Sequence, residues 1–290
     1  MTAVVAVTGL LTGGPSTVDL DRSSAQGRTK QSVDPWYDVL GSVVDEADVL
    51  VLVRSPHASA VRRRLARVRS LLDTDRIAMV DVPVGPLAAG VLADAVARGL
   101  LSGRLVPAQV PAAVRHAADL CLDVGVVRRV SDLDLPSVTL AHQLRSYLPW
   151  SSRFVVSLAP TLAVGHLAAH DTQLRGPEPA LPQASGPLRA LTAGTPLPAA
   201  LLTLLQRAGL EAEVVQQPAL HALLADAWAD PGCAELVVMP AHDDEWLGTG
   251  VLPATAACTW CDRPRTSTAC LFCGEWAGAD EARTVAGPAA

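Results

Sequence analysis

Aromatic side chains are scarce in this sequence: only ten of its 290 residues are Phe, Tyr or Trp. A core built on ring stacking is excluded, and with half the residues apolar the interior has to be aliphatic. Lysine is almost missing, Lys30 standing alone against 22 arginines, a bias that reads as genome composition rather than function. The net charge of −6 argues against a surface given over to nucleic acid and leaves only a local basic face open. Long apolar runs are missing too. The longest uncharged stretch, Phe154 to His170, is interrupted by Pro160 and is too short to span a bilayer. No charged n-region precedes Val4-Val5-Ala6-Val7, so a cytoplasmic chain without a membrane partner is expected.

Cysteine is rare as well, with six in all, yet four of them are crowded near the end. Cys258-Thr259-Trp260-Cys261 and Cys270-Leu271-Phe272-Cys273-Gly274 are two Cys-x-x-Cys knuckles. Each aims two thiolates at one point, and four thiolates satisfy a tetrahedral Zn²⁺. Redox pairs are the alternative reading of the spacing. A closed four-thiolate set leaves no position for substrate, so the expected zinc is structural. Gly274 frees the backbone to turn just after the last ligand. Three of the ten aromatics, Trp260, Phe272 and Trp276, fall in or beside the knuckles, as a small metal-stapled module requires. Cys121 and Cys233 sit among apolar neighbours and read as small core residues.

Along the chain, apolar β-branched runs alternate with helical patterns. Ala3–Val7, Val49–Val53, Ile77–Val82, Phe154–Leu158 and Glu235–Met239 read as strands. Helices are expected from Trp36 to Glu46, behind Asp34 and Pro35, and over the Val61, Leu65, Val68, Leu72 stripe. Others are expected over Gly85–Leu101, Pro107–Cys121, Leu140–Leu148, Ala199–Ala208 and Ala219–Ala229. The proline- and glycine-dense residues 176–198 read as a linker or surface excursion. Such alternation predicts a Rossmann-like, mainly parallel α/β body in two lobes with a C-terminal zinc ribbon. The boundaries expected are 1–150, 151–250 and 251–290.

Four further constellations carry chemistry. Gly9-Leu10-Leu11-Thr12-Gly13-Gly14-Pro15-Ser16 follows a strand with the spacing of a phosphate-binding loop, Pro15 standing where the lysine belongs. Gly9, Gly13, Gly14 and Ser16 are thus candidate nucleotide contacts. The order of residues 3–120 resembles the deviant-Walker partitioning and division-site ATPases, although residues 16–34 lack the helix those proteins place next. That resemblance implies a nucleotide as ligand, with hydrolysis deprived of its main cation. Pro240-Ala241-His242-Asp243-Asp244-Glu245 through Gly250 resembles the A-H-P-D-D-E signature of zinc-dependent N-acetylglucosamine deacetylases. The resemblance implies metal ligation by His242 and an aspartate, with the neighbouring aspartate as base. The proline between His and Asp is missing, however, and no histidine follows His242. On a helix, His166 and His170 would share one side and could share a metal. Arg62, Arg63, Arg64, Arg67 and Arg69 give one helix a basic face, read either as solvated and matched by Asp73 and Asp75 or as a docking face for phosphate or an acidic partner. Without interleaved aromatics, base stacking has no support there.

These signals predict a non-catalytic adaptor or regulator. Its ribbon docks a protein, with nucleic acid as the second class of partner, and its α/β body holds a nucleotide. The alternative is a hydrolase working at the strand ends with His242, Asp243 and Asp244 or with the Gly9–Ser16 loop.

Overall fold

The computed structural model describes residues 3–8, 17–19 and 35–274, apart from 46, 55–57, 132, 134, 136, 148–152, 168–172, 217, 267 and 268. Packing divides the chain into two units, 1–82 with 91–116 and 247–290, and 83–90 with 117–246.

In the first unit, β1 (Ala3–Thr8), β2 (Thr17–Asp19), β3 (Asp48–Arg54) and β4 (Ile77–Val82) form a parallel sheet of order β2-β1-β3-β4. All seven residues of β3 are buried, the apolar run Val49–Val53 together with the charged Asp48 and Arg54 at its ends. One face packs on α1 (Pro35–Val44) and α2 (Ala58–Leu72) through Trp36, Leu40, Val51, Leu65 and Val68. Each such aliphatic side chain contributes about 1.5–3 kcal/mol on leaving water. The arginines of α2 fall on its outer faces, and Arg64 lies over the Trp36 ring, 4.1 Å from its centroid. Helix α3 (Pro86–Leu101) and α4 (Val110–Asp119), the latter entered by a 3₁₀ turn at Pro107–Gln109, follow β4.

The second unit holds β5 (Leu122–Val127), β6 (Phe154–Ala159), β7 (Ala163–Leu167), β8 (Leu174–Arg175), β9 (Leu188–Gly194), β10 (Ala212–Val214) and β11 (Ala234–Pro240). They pair in the order β10-β9-β11-β5-β6-β7-β8. Only β9 and β10 run parallel; every other pair is antiparallel. Helices α5 (Leu140–Ser146), α6 (Ala199–Arg207) and α7 (Pro218–Ala227) lie between strands, and α8 (Asp243–Trp246) follows β11. Side chains alternate across β5 and β11. Leu122, Val124, Leu236 and Val238 join Leu201 and Leu205 of α6 in one aliphatic layer. Asp123, Gly125 and Glu235 face the other way, and Gly125 lacks a Cβ where the Trp228 ring comes close.

The fold is mixed α/β, and the expectation of a mainly parallel Rossmann-like body fails for the larger sheet. The reason is physical: a strand buried on both faces shows the same apolar run whichever way its neighbours point. Residues 176–198 are also more than a linker, since they contain β9, the partner of central β11. Prolines and glycines at both of its ends mask its alternating pattern. Among the described residues no helix is long and apolar enough to cross a membrane.

Candidate metal centre

Near the end of the first unit is a short hairpin, β12 (Ala256–Ala257) with β13 (Pro264–Arg265), which carries the first knuckle between its strands and is followed by the second. The knuckles repeat one local geometry. In the first, the Asp262 N–H donates to the Cys258 carbonyl (2.9 Å), and in the second the Gly274 N–H donates to that of Cys270 (3.0 Å). The residue after each second cysteine is left-handed, Asp262 at φ 62° and Gly274 at φ 77°. Glycine adopts this conformation freely and aspartate tolerates it better than most residues. Gly274 therefore does what its position predicted, and Asp262 is its counterpart.

The four sulfurs converge, all lying within 4.8 Å of one another. The cross-knuckle pairs Cys258–Cys273 and Cys261–Cys270 are 3.7 and 3.6 Å apart. A disulfide needs ~2.05 Å, whereas a tetrahedral ion with Zn–S bonds of ~2.3 Å sets its sulfurs ~3.8 Å apart. The donor set fits such an ion. Burial pushes the Cys258 thiol up, but N–H groups of Cys261 and Trp260 and the sulfurs of Cys273 and Cys261 outweigh it, bringing the thiol down to about 7. Among the described residues this is the one cluster of three or more metal-capable side chains.

The module is held to the α/β layer by arginines. Arg263 donates from Nε to Asp48 Oδ1 (3.0 Å) and from Nη1 to Asp75 Oδ2 (2.9 Å). Its guanidinium also lies over the Phe272 ring, 5.2 Å from the centroid. Asp48 opens β3 and is 1% exposed. A carboxylate buried this deeply is costly without a partner, and Arg76 Nε supplies a second cation at 3.3 Å. Arg69 of α2 donates to the Phe272 carbonyl (2.8 Å), Thr266 to that of Ala108 (3.0 Å) and Gln109 to that of Pro253 (3.0 Å). Sequence reading missed Asp48, Arg76 and Arg263. The available signal was an acid at the head of an apolar run.

The second unit has its own buried polar centre. Glu235 Oε1 accepts from the N–H groups of Leu87 (2.9 Å) and Ala88 (3.3 Å), and Oε2 from the Trp228 indole (3.0 Å). Asp123 Oδ2 accepts from the Gly85 N–H. Pro86 has no N–H, and Ala89 donates to the Gly85 carbonyl. Every donor at the start of α3 is therefore served by the chain itself.

The remaining sequence candidates fare differently. Gly9, Gly13, Gly14 and Ser16 lie outside the described residues, as does His170. His166 stands on strand β7 rather than a helix, where its Nε2 is 2.7 Å from Arg145 Nη1. His242, Asp243 and Asp244 do not assemble a metal-capable cluster. In that loop Glu245 has a clear job, accepting from the Ser185 N–H (2.6 Å), the Ser185 hydroxyl (2.6 Å) and the Gly186 N–H (3.0 Å). Those bonds, the Ser185 hydroxyl first, hold its carboxyl below the ordinary carboxylate range.

No family model matches the chain, and no curated protein matches it. Solved structures do. A fatty-acid-binding DegV family protein from Thermus thermophilus is similar at TM-score 0.53 and 13% identity, over 83% of this chain and 100% of that one. A DegV family protein from Corynebacterium glutamicum gives 0.51 and 13%, over 83% and 98%. One from Eubacterium eligens, loaded with heptadecanoic acid, gives 0.51 and 9%, over 82% and 100%. These neighbours overturn the resemblance of residues 3–120 to partitioning ATPases, and with it the degenerate phosphate loop and the nucleotide-holding adaptor. What the chain shares with the DegV family proteins is their fold.

Proposed function

We propose that the chain is a non-catalytic fatty-acid-binding protein of the cytoplasm whose tail is stapled by one structural zinc. A single observation carries the lipid reading: the likeness spans the whole length of structures whose protein binds, or is loaded with, a fatty acid. The aliphatic composition suits the same cargo. The start of α3 is already occupied by Asp123 and Glu235, so the fatty carboxylate is received by other donors. The zinc reading rests on the four converging sulfurs, and a reducing compartment keeps them available as thiolates.

The test is extraction and mass analysis of lipid from the purified chain, followed by titration of delipidated protein with a fluorescent fatty acid. One saturable site per chain, displaced by unlabelled long-chain acid, is the expected result. Clean protein with no saturable uptake overturns the reading. Metal analysis of the same sample is expected to find one zinc per chain, lost in Cys258→Ser and Cys270→Ser.

A further inference from the structure

The first knuckle carries its aromatic residue outward. Trp260 is 77% exposed, in a chain that otherwise spends few rings, and it borders an open groove of about 620 Å³ against the last turns of α2. Ala66, Arg69, Ser70, Asp73 and Thr74 form the opposite side. The sequence separates this tryptophan from the arginine helix by nearly two hundred residues, and the fold brings them together. About one turn back from Ala66 along α2, toward its N-terminus, stand Arg62 and Arg63, and Arg67 follows Ala66 directly, all three exposed. Arg63 and Ser70 are ~10 Å apart along the axis. A flat ring and a row of cations at that separation are the two components of a sequence-tolerant site for a nucleic-acid strand.

We propose that this groove binds a short single strand of nucleic acid, one base stacked on Trp260 and the adjoining phosphates met by Arg63 and Arg67. The groove wall favours a base over the apolar anchor of a peptide. Ser70, Thr74 and Asp73 offer hydrogen-bonding groups to base edges, and Asp73 is an acceptor for an exocyclic amine. Asp75, also at the groove, is already engaged by Arg263 (2.9 Å). Among the described residues Arg62 meets Asp81 in an exposed contact at 3.3 Å, which a phosphate readily displaces. The net charge of −6 confines the site to this face and to a short strand. The proposal is independent of the fatty-acid reading, since it uses none of the observations behind it.

The experiment is fluorescence anisotropy of a labelled oligodeoxycytidylate of about eight nucleotides with the intact, zinc-loaded chain at low salt. Expected are micromolar binding that weakens as salt rises, and a loss of about tenfold in Trp260→Ala with zinc content unchanged. Trp260→Phe, which keeps a ring, retains most of the affinity. The double variant Arg63→Ala, Arg67→Ala weakens binding and lowers the salt slope by about 1.4. Absence of salt-dependent binding overturns the proposal, as does wild-type affinity in Trp260→Ala. Displacement by an oligoglutamate peptide at the same concentration as unlabelled oligonucleotide also overturns it, in favour of an acidic protein partner.

Discussion

Asp48 and Glu235 are both carboxylates at the head of apolar strands, 1% and 0% exposed, yet the two units neutralise them by opposite means. Around Glu235 the partners include three dipoles, two N–H groups of α3 and an indole, each fixed by a helix or a buried ring. Around Asp48 they are two guanidinium groups on flexible stems, and one of them, Arg263, belongs to the metal module. Neutralisation by backbone is built in as soon as the sheet and helix form. Neutralisation by arginine depends on a distant segment being folded, so the first unit is coupled to whatever holds the four sulfurs together.

The largest expected effect lies on the dipolar side. Glu235→Ala leaves the Leu87 and Ala88 N–H groups and the Trp228 indole without their acceptor, and a loss of about 4 kcal/mol is expected in urea unfolding. Glu235→Gln, which keeps an acceptor oxygen, costs roughly half. A loss below about 1 kcal/mol in the alanine variant would erase the contrast. The arginine side is weaker because Arg76 remains. Arg263→Ala is expected to cost about 2 kcal/mol, and a double-mutant cycle with Asp48→Asn recovers at least half of it as coupling. Additive variants would mean that the module contributes nothing to Asp48.

The smallest effect is a pH dependence in the second unit. Burial, then the charges of Asp230 and Glu235, push the Cys233 thiol up to about 12 from an ordinary 9. A raised thiol leaves stability intact below about 9 and removes it as pH climbs toward 12, because the unfolded chain gives up its proton first. Burial, then Asp123 and Glu235, push Cys121 up in the same sense. Melting curves between neutral and alkaline pH are expected to fall less steeply for Cys233→Ala than for the parent. Equal slopes in the two proteins would remove Cys233 from the account.

What could be read in the sequence was local. The apolar runs Val49–Val53 and Ile77–Val82 became strands β3 and β4, because burial on both faces admits little else. The cysteine spacing located the knuckles, since each Cys-x-x-Cys closes on itself before the tertiary fold intervenes. Strand direction was illegible: neither β9 nor β11 says in its side chains that the two are antiparallel. The likeness to partitioning ATPases failed for the same reason, resting on alternation of elements that many α/β folds share. The pairing of Asp48 with Arg263, 215 residues apart, and the approach of Trp260 to the arginine helix belong to the tertiary structure alone.

The outward ring of Trp260 has a practical consequence. Among the described tryptophans, Trp36, Trp228 and Trp246 are at most 2% exposed while Trp260 is 77% exposed. Acrylamide will therefore extinguish its emission ahead of theirs, selecting the red edge of the spectrum. In a chain with Trp150→Phe and Trp276→Phe, that fraction is a built-in optical probe of the knuckle, readable without a dye while zinc is stripped and returned.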